Sequence, residues 1–415
     1  MPSAKTQNQR VIIIGGSMAG LFAAINLRKH GWEVEIFERA ESELSNRGAG
    51  IATHKELYEA VRTAGIELRE EMGVYSDGRV MFDRDGSVLT SCEMHQLMTS
   101  WGLIYRFLRD QIPDEIYHQG KSLVSLQQNS HQVTAVFDDG SQSVGEWLIG
   151  ADGTRSTTRQ LLLPAVEAEY CGYLGWRGLI DESLIDAQVH AQLAHKMAFS
   201  MAPGGHWLGY LVAGPNDALS PGQRWYNWGW YRTCPPDELR DALTDKAGKY
   251  YALGIPHTLI RDDVIANMRN DAANYLAPQS QCVIAATEQP FIQGMYDFGV
   301  SSMHFERVFL VGDAAFTARP HVGLGVSKAA DDSSKLAVAL SADNQSAALV
   351  NWNEQRIRFG KAALQWGRDL GSYIGPQPDT KAHRAKAEHY LQPEILTTVT
   401  AANDPERYLA ALYEN

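Results

Sequence analysis

At 415 residues the chain is long enough to bury a large core and to form two domains. A formal net charge of −12 argues against nucleic acid as a partner, and the polar first ten residues followed by a short apolar run at Val11–Gly16 give nothing that spans a membrane. Four scattered cysteines (Cys92, Cys171, Cys234, Cys282) without a CxxC pair argue for reduced thiols in a cytoplasmic protein, and against a metal site or a redox disulfide.

The first predicted element is a buried parallel strand at Val11–Ile14, where four β-branched residues follow one another. A glycine-rich turn, Gly15-Gly16-Ser17-Met18-Ala19-Gly20, leads into helix-forming composition from Leu21 to Lys29, stopped by Gly31. Val34–Glu38 is the next predicted strand, which completes a βαβ unit. Such a turn brings bare backbone and helix N–H groups to a pyrophosphate, while Glu38, 23 residues after Gly15, is placed to accept from ribose hydroxyls. Ser17 stands where the dinucleotide pattern has glycine; it is small, and its hydroxyl can donate to a phosphate.

Further along, Asp138-Asp139-Gly140 predicts a hairpin, and Trp147–Ala151 a strand ending in the turn Asp152-Gly153. Ser156 and Arg159 follow in a DGxxSxxR element, with Ser156 placed to cap a helix. Between about Tyr170 and Cys282 the composition changes: five of the ten tryptophans lie there, in alternating runs such as Trp225–Tyr231 that predict antiparallel strands. Trp228 and Trp230 are expected in the core of that sheet. A last apolar strand at Arg307–Val311 ends in Gly312-Asp313, followed by Pro320, Gly323, Gly325 and Val326 and an Ala-rich helix to Leu340. From Ala347 the chain is predicted mostly helical, with a break at Pro376 and Pro378.

In this order and spacing the three glycine-rich segments resemble the FAD-contacting motifs of the single-component flavoprotein aromatic hydroxylases. Within them the dihydroxypyridine hydroxylases look most similar, through Gly172-Tyr173, Trp176-Arg177-Gly178, Gly205-His206 with Tyr210, and Arg319-Pro320-His321. The resemblance runs from the N-terminus past residue 330. Phe316 departs from the family's usual His, and Ser327 from its usual Asn. The resemblance implies an α/β fold: a Rossmann-like FAD-binding domain of the glutathione-reductase type, with an inserted antiparallel substrate sheet and C-terminal helices. The expected division is 1–75, 96–169 and 282–340 for FAD, 76–95 and 170–281 for substrate, and 341–415 for the helices. It further implies contacts to FAD from Gly15, Ser17, Met18, Ala19, Gly20, Glu38, Arg39, Gly50, Arg106, Asp152, Gly312, Asp313, Pro320, Gly323, Gly325 and Val326. For Arg106 a plain surface ion pair is the equal alternative.

By the same resemblance, NADH or NADPH reduces FAD, the reduced flavin captures O2, and a C4a-hydroperoxyflavin hydroxylates a hydroxylated aromatic or pyridine-type ring. The protein must exclude water, place the ring and help deprotonate its hydroxyl, with a base whose pKa lies near neutrality. His206, His321 and His54 are the candidate bases, with Tyr210 and Tyr226 as hydrogen-bonding partners. Each histidine has a plainer alternative; for His206 it is a surface turn after Pro203. A homodimer is the expected assembly. The alternatives are a flavin oxidase, epoxidase or dehydrogenase on the same fold, or a non-catalytic flavin-binding regulator.

Overall fold

The computed structural model describes residues 10–44, 50–53, 55–66, 72–252, 254–376 and 380–401. The β-branched run forms strand Arg10–Ile14, which pairs in parallel with Glu33–Phe37 on one side and Trp147–Gly150 on the other. These strands are the centre of a six-stranded sheet extended by Val308–Leu310 and His304–Phe305 beyond one edge and by Tyr117–His118 beyond the other. Burial on both faces accounts for the unbroken apolar run. Helix Met18–Lys29 covers one face, packed against helix Gly325–Leu340. The hairpin at Asp138–Gly140 joins Val133–Phe137 to Gln142–Gly145 in a separate three-stranded sheet.

The tryptophan-rich region forms the middle of a nine-stranded sheet. Its strands run in the order Phe316–Thr317, Phe291–Gly299, Glu169–Asp181, Trp225–Thr233, Gly205–Val212, Lys196–Ala202, Val74–Phe82, Val88–Ser100, Gly50–Ala52. All its pairings are antiparallel except Lys196–Ala202 with Val74–Phe82, which is parallel. One face is a tryptophan-rich core: Trp207, Trp228 and Trp230 are fully buried, and the Trp228 indole donates to Thr287 Oγ1 at 2.8 Å. Tyr226 belongs to that core too, stacked on Trp207, so it is not a partner for a catalytic histidine. Helix Gln345–Leu370 and the shorter helices Lys381–Tyr390 and Pro393–Val399 follow. The long helix ends six residues before Pro376; Pro378 lies outside the described residues.

One buried ionic knot fixes the third glycine segment. Asp332 accepts from the Gly312 N–H at 2.9 Å and from Arg356 Nε at 2.6 Å, with Lys328 Nζ 3.5 Å away. Both partners of the Asp332–Arg356 pair are buried, and without Arg356 the Asp332 carboxylate keeps only the more distant Lys328 as counter-charge. Arg356→Met is therefore expected to cost about 3–5 kcal/mol of stability, read as a lower urea midpoint with an unchanged slope.

Candidate active site

A cavity of about 730 Å³ opens between the two large sheets, and all three glycine-rich segments reach it. That is within the range of a bound cofactor and a small substrate. Gly15, with φ +105, makes the turn after the first strand, where a side chain would collide with the Ala151 carbonyl. The Gly20 Cβ position is likewise filled by the Gly15 carbonyl, so Gly20 lies behind the cavity wall rather than on it. Ser17, Met18 and Ala19 line the cavity where helix Met18–Lys29 begins, and the Ser17 side chain does not cap that helix. Helix Gly325–Leu340 also starts at the cavity without a side-chain cap, at Gly323, Gly325 and Val326. Two uncapped helix N-termini of this kind offer N–H groups and partial positive charge to anionic or carbonyl oxygens.

Glu38 and Arg39 line the same end. The buried Glu38 carboxylate accepts from the Gly16 N–H at 2.8 Å and the Ala40 N–H at 2.9 Å, which fixes it beside the glycine turn. Asp152 lines the cavity as well, but its oxygens are engaged by Ser156 Oγ, Thr158 Oγ1 and the Thr158 N–H. Burial pushes its pKa up and these hydrogen bonds pull it back. Ser156 caps helix Thr157–Leu162 as predicted. Arg159 donates to the Thr154 and Ala314 carbonyls at 2.8 and 3.1 Å, tying the second segment to the third. Asp313 and Pro320 face the cavity, while Gly312 stands behind Asp313. Burial also raises the pKa of Asp313.

Gly50 lines the cavity and donates its N–H to Asn227 Oδ1 at 3.1 Å. Arg106 is not on the cavity wall; it is ion-paired with Asp217, the plainer of its two readings. His54 lies outside the described residues.

At the other end the cavity is walled by the nine-stranded sheet, through Tyr210, Tyr231, Asn227, Leu208, Met197 and Arg177. His321 joins them from the third segment, and its Nε2 is 2.8 Å from the Tyr173 hydroxyl. His206 sits behind it, fully buried, with Nδ1 2.7 Å from the Tyr373 hydroxyl and its ring centroid 5.6 Å from that of His321. The surface-turn reading of His206 therefore fails: the turn is at Gly204, and the histidine points inward from the start of strand Gly205–Val212. Burial lowers the His206 pKa to about 3. It drives His321 well below its ordinary value, helped by the positive charges of Arg319 and Arg177. Burial therefore favours the neutral form of both rings.

Arg177 stands outside the predicted site residues, although it falls within the Trp176-Arg177-Gly178 match. Its Nη2 donates to the Tyr231 hydroxyl at 2.9 Å, its Nε has no hydrogen-bond partner, and among the described residues it forms no ion pair. A lone arginine in a strand gives no sequence signal; only the sheet brings it to Tyr210, Tyr231 and His321.

Bare-backbone turns, two helix starts and a fixed acidic residue stand at one end, and at the other an aromatic wall with Arg177, which has no ion pair among the described residues: the layout of a flavin-type redox fold. Comparison with known proteins agrees. Residues 170–297 match the family described as FAD binding domain-like. The chain is 31% identical over 367 residues to the 2,6-dihydroxypyridine 3-monooxygenase of Paenarthrobacter nicotinovorans, covering 88% of this chain and 91% of that one. It is 24% identical over 356 residues to the 6-hydroxynicotinate 3-monooxygenase of Pseudomonas fluorescens, covering 81% and 83%. The solved 2,6-dihydroxypyridine-3-hydroxylase from Arthrobacter nicotinovorans superposes with a TM-score of 0.84 at 29% identity, over 91% of this chain and 96% of that one. The chain belongs to the single-component FAD-dependent aromatic hydroxylases. It is a flavoprotein monooxygenase that uses FAD and NAD(P)H, with the Rossmann-like domain and second sheet of that family.

The depressed histidine has a measurable consequence. The unfolded chain protonates His206 near pH 6.5 and the folded chain only near 3, so its stabilising contribution is complete above pH 6.5 and falls as the pH drops through that window. Between pH 7.5 and 5 the wild type should lose roughly 2 kcal/mol more than His206→Gln, as read from urea midpoints at the two pH values.

Proposed function

We propose that the protein hydroxylates a hydroxylated pyridine-type ring bound in the aromatic end of the cavity, with O2 as the oxygen donor. The observation that carries this is the single continuous cavity joining the glycine-rich segments to the Tyr210, Tyr231 and Arg177 wall. The likeness to relatives named for dihydroxypyridine and hydroxynicotinate supports the choice of ring. In this reading the glycine segments, Glu38, Arg39, Asp313 and the start of helix Gly325–Leu340 hold FAD. The discontinuous division into FAD and substrate domains belongs to the same proposal, as does a cytoplasmic location, which the four free cysteines support.

When bound, FAD supplies electron transfer from NAD(P)H and activation of O2. The chain's own groups do the rest. Tyr210, Leu208 and Met197 enclose the ring and keep water away from it. Arg177 faces a ring hydroxyl oxygen and stabilises its deprotonated form, making the ring carbons electron-rich. With both histidines neutral, this fixed charge lowers the pKa of the ring hydroxyl, whose proton passes to water as the ring enters the cavity. Tyr210 orients the ring by a hydrogen bond, and His321, held through Nε2 by the Tyr173 hydroxyl, packs beside it.

The test is NAD(P)H oxidation by the purified protein with 2,6-dihydroxypyridine and 6-hydroxynicotinate under labelled O2. Ring-stimulated oxidation with one labelled oxygen atom in the product is expected. Stimulation that yields only hydrogen peroxide, from every ring tried, would replace hydroxylation by an oxidase reading. Arg177→Gln loses a charge-assisted hydrogen bond of about 1.5–3 kcal/mol, so the ring's Kd should rise about 10- to 100-fold. An unchanged Kd would remove Arg177 from the site.

A further inference from the structure

Arg79 lies in strand Val74–Phe82 and is 1% exposed. A buried guanidinium ordinarily faces a carboxylate. Among the described residues Arg79 has none. It donates instead to carbonyls at the end of helix Pro393–Val399: from Nη1 to Thr397 O at 2.8 Å and to Thr400 O, and from Nη2 to Ala401 O at 3.4 Å. Nη2 also donates to Gln96 Oε1 at 2.8 Å. These carbonyls have no partner within their own helix and carry the negative end of its dipole, so they suit a cation. Burial lowers the Arg79 pKa to about 10, which leaves it charged at neutral pH.

The held segment is part of the active-site wall. Thr400 and Ala401 line the cavity, and Leu396 is buried among Met81, Met98 and Phe199. Ala401 adopts φ +48, a left-handed conformation in which a helix end ordinarily has glycine. It is kept there from two sides: its N–H donates to His321 O at 2.9 Å, and its carbonyl accepts from Gln96 Nε2 at 3.0 Å besides Arg79. Residues 397–401 are thus stitched to the substrate sheet at one edge and to the His321 backbone at the other.

We propose that Arg79 is a positioning residue that clamps the 393–401 segment across the cavity, closing its wall and holding His321 in register with the ring. The catalytic consequence rests on the monooxygenase reading above. An unclamped wall lets water and ligand exchange, so more of the activated oxygen leaves as hydrogen peroxide: NAD(P)H, a proton and O2 give NAD(P)+ and H2O2 with no oxygen transferred.

Two measurements test it, one of them independent of turnover. In Arg79→Met, amide hydrogen exchange in residues 393–401 should accelerate about tenfold or more while the central strands Arg10–Ile14 and Trp147–Gly150 keep their protection. With FAD and a ring substrate, peroxide released per NAD(P)H should rise several-fold. Arg79→Lys, which keeps the charge but loses the fork, should fall between the two. If Arg79→Met does not fold, Gln96→Met removes one hold on Ala401 and should shift both readouts in the same direction by less. Unchanged exchange at 393–401, or exchange that rises uniformly along the chain, would overturn the clamp. Faster exchange there with an unchanged peroxide yield would overturn its catalytic role. A protein that takes up no FAD would overturn the monooxygenase reading, while exchange at 393–401 would still decide for or against the clamp.

Discussion

The constraint on which the rest depends is the bare backbone edge where strand Arg10–Ile14 turns into helix Met18–Lys29. The Gly15 Cβ position is taken by the Ala151 carbonyl, that of Gly16 by the Tyr117 hydroxyl, and that of Gly20 by the Gly15 carbonyl. Three strand ends, the Tyr117 hydroxyl and a helix therefore meet with no room for a side chain at the three glycines. This close approach leaves the helix N-terminus open toward the cavity and sets Glu38 beside it, gripped by the Gly16 N–H. A side chain at any of the three positions would push the strand ends apart and close the compartment from that side.

From that edge the site is assembled by few, well-placed ties rather than by a broad interface. Arg159 joins the second glycine segment to the third, Asp332 and Arg356 hold the third in place, and Asn227 meets the backbone of Gly50, on the edge strand of its own nine-stranded sheet. Each tie runs from a side chain to a backbone group or to an opposite charge, so each fixes a distance and a direction. The aromatic end is governed differently, by burial. Tyr173, Tyr373, His206 and His321 are all pushed toward their neutral forms, chiefly by desolvation. Arg177 and the Asp297-paired Arg319 are the cations that line the cavity beside these groups.

Much of this was legible in the sequence because local rules and global fold agree there. The β-branched run, the glycine turn, the Ser156 cap and the alternating Trp225–Tyr231 strand each take the form their periodicity implies. The cavity contacts of Ser17, Glu38, Asp313, Pro320 and His321 follow from motifs that sit at strand ends. What sequence reasoning did not find depends on register across distant strands. Arg177 reaches the cavity because Glu169–Asp181 pairs with Trp225–Thr233 so that Arg177 lies opposite Gly229. Arg79 acquires its role only when residues 397–401, more than 300 positions later, fold back onto it. The burial of His206 was missed for a related reason: a histidine after Pro203-Gly204-Gly205 has the composition of a surface turn, and only the tertiary fold encloses it.

Central to the proposed chemistry is one cavity that holds FAD and a hydroxylated ring side by side. The most direct measurement is the visible difference spectrum of the FAD-bound protein during titration with 2,6-dihydroxypyridine. A saturable perturbation of the flavin bands, weakened in Arg177→Gln, is the predicted result. Saturable ring binding that leaves the flavin spectrum untouched would place the ring elsewhere and contradict the shared cavity.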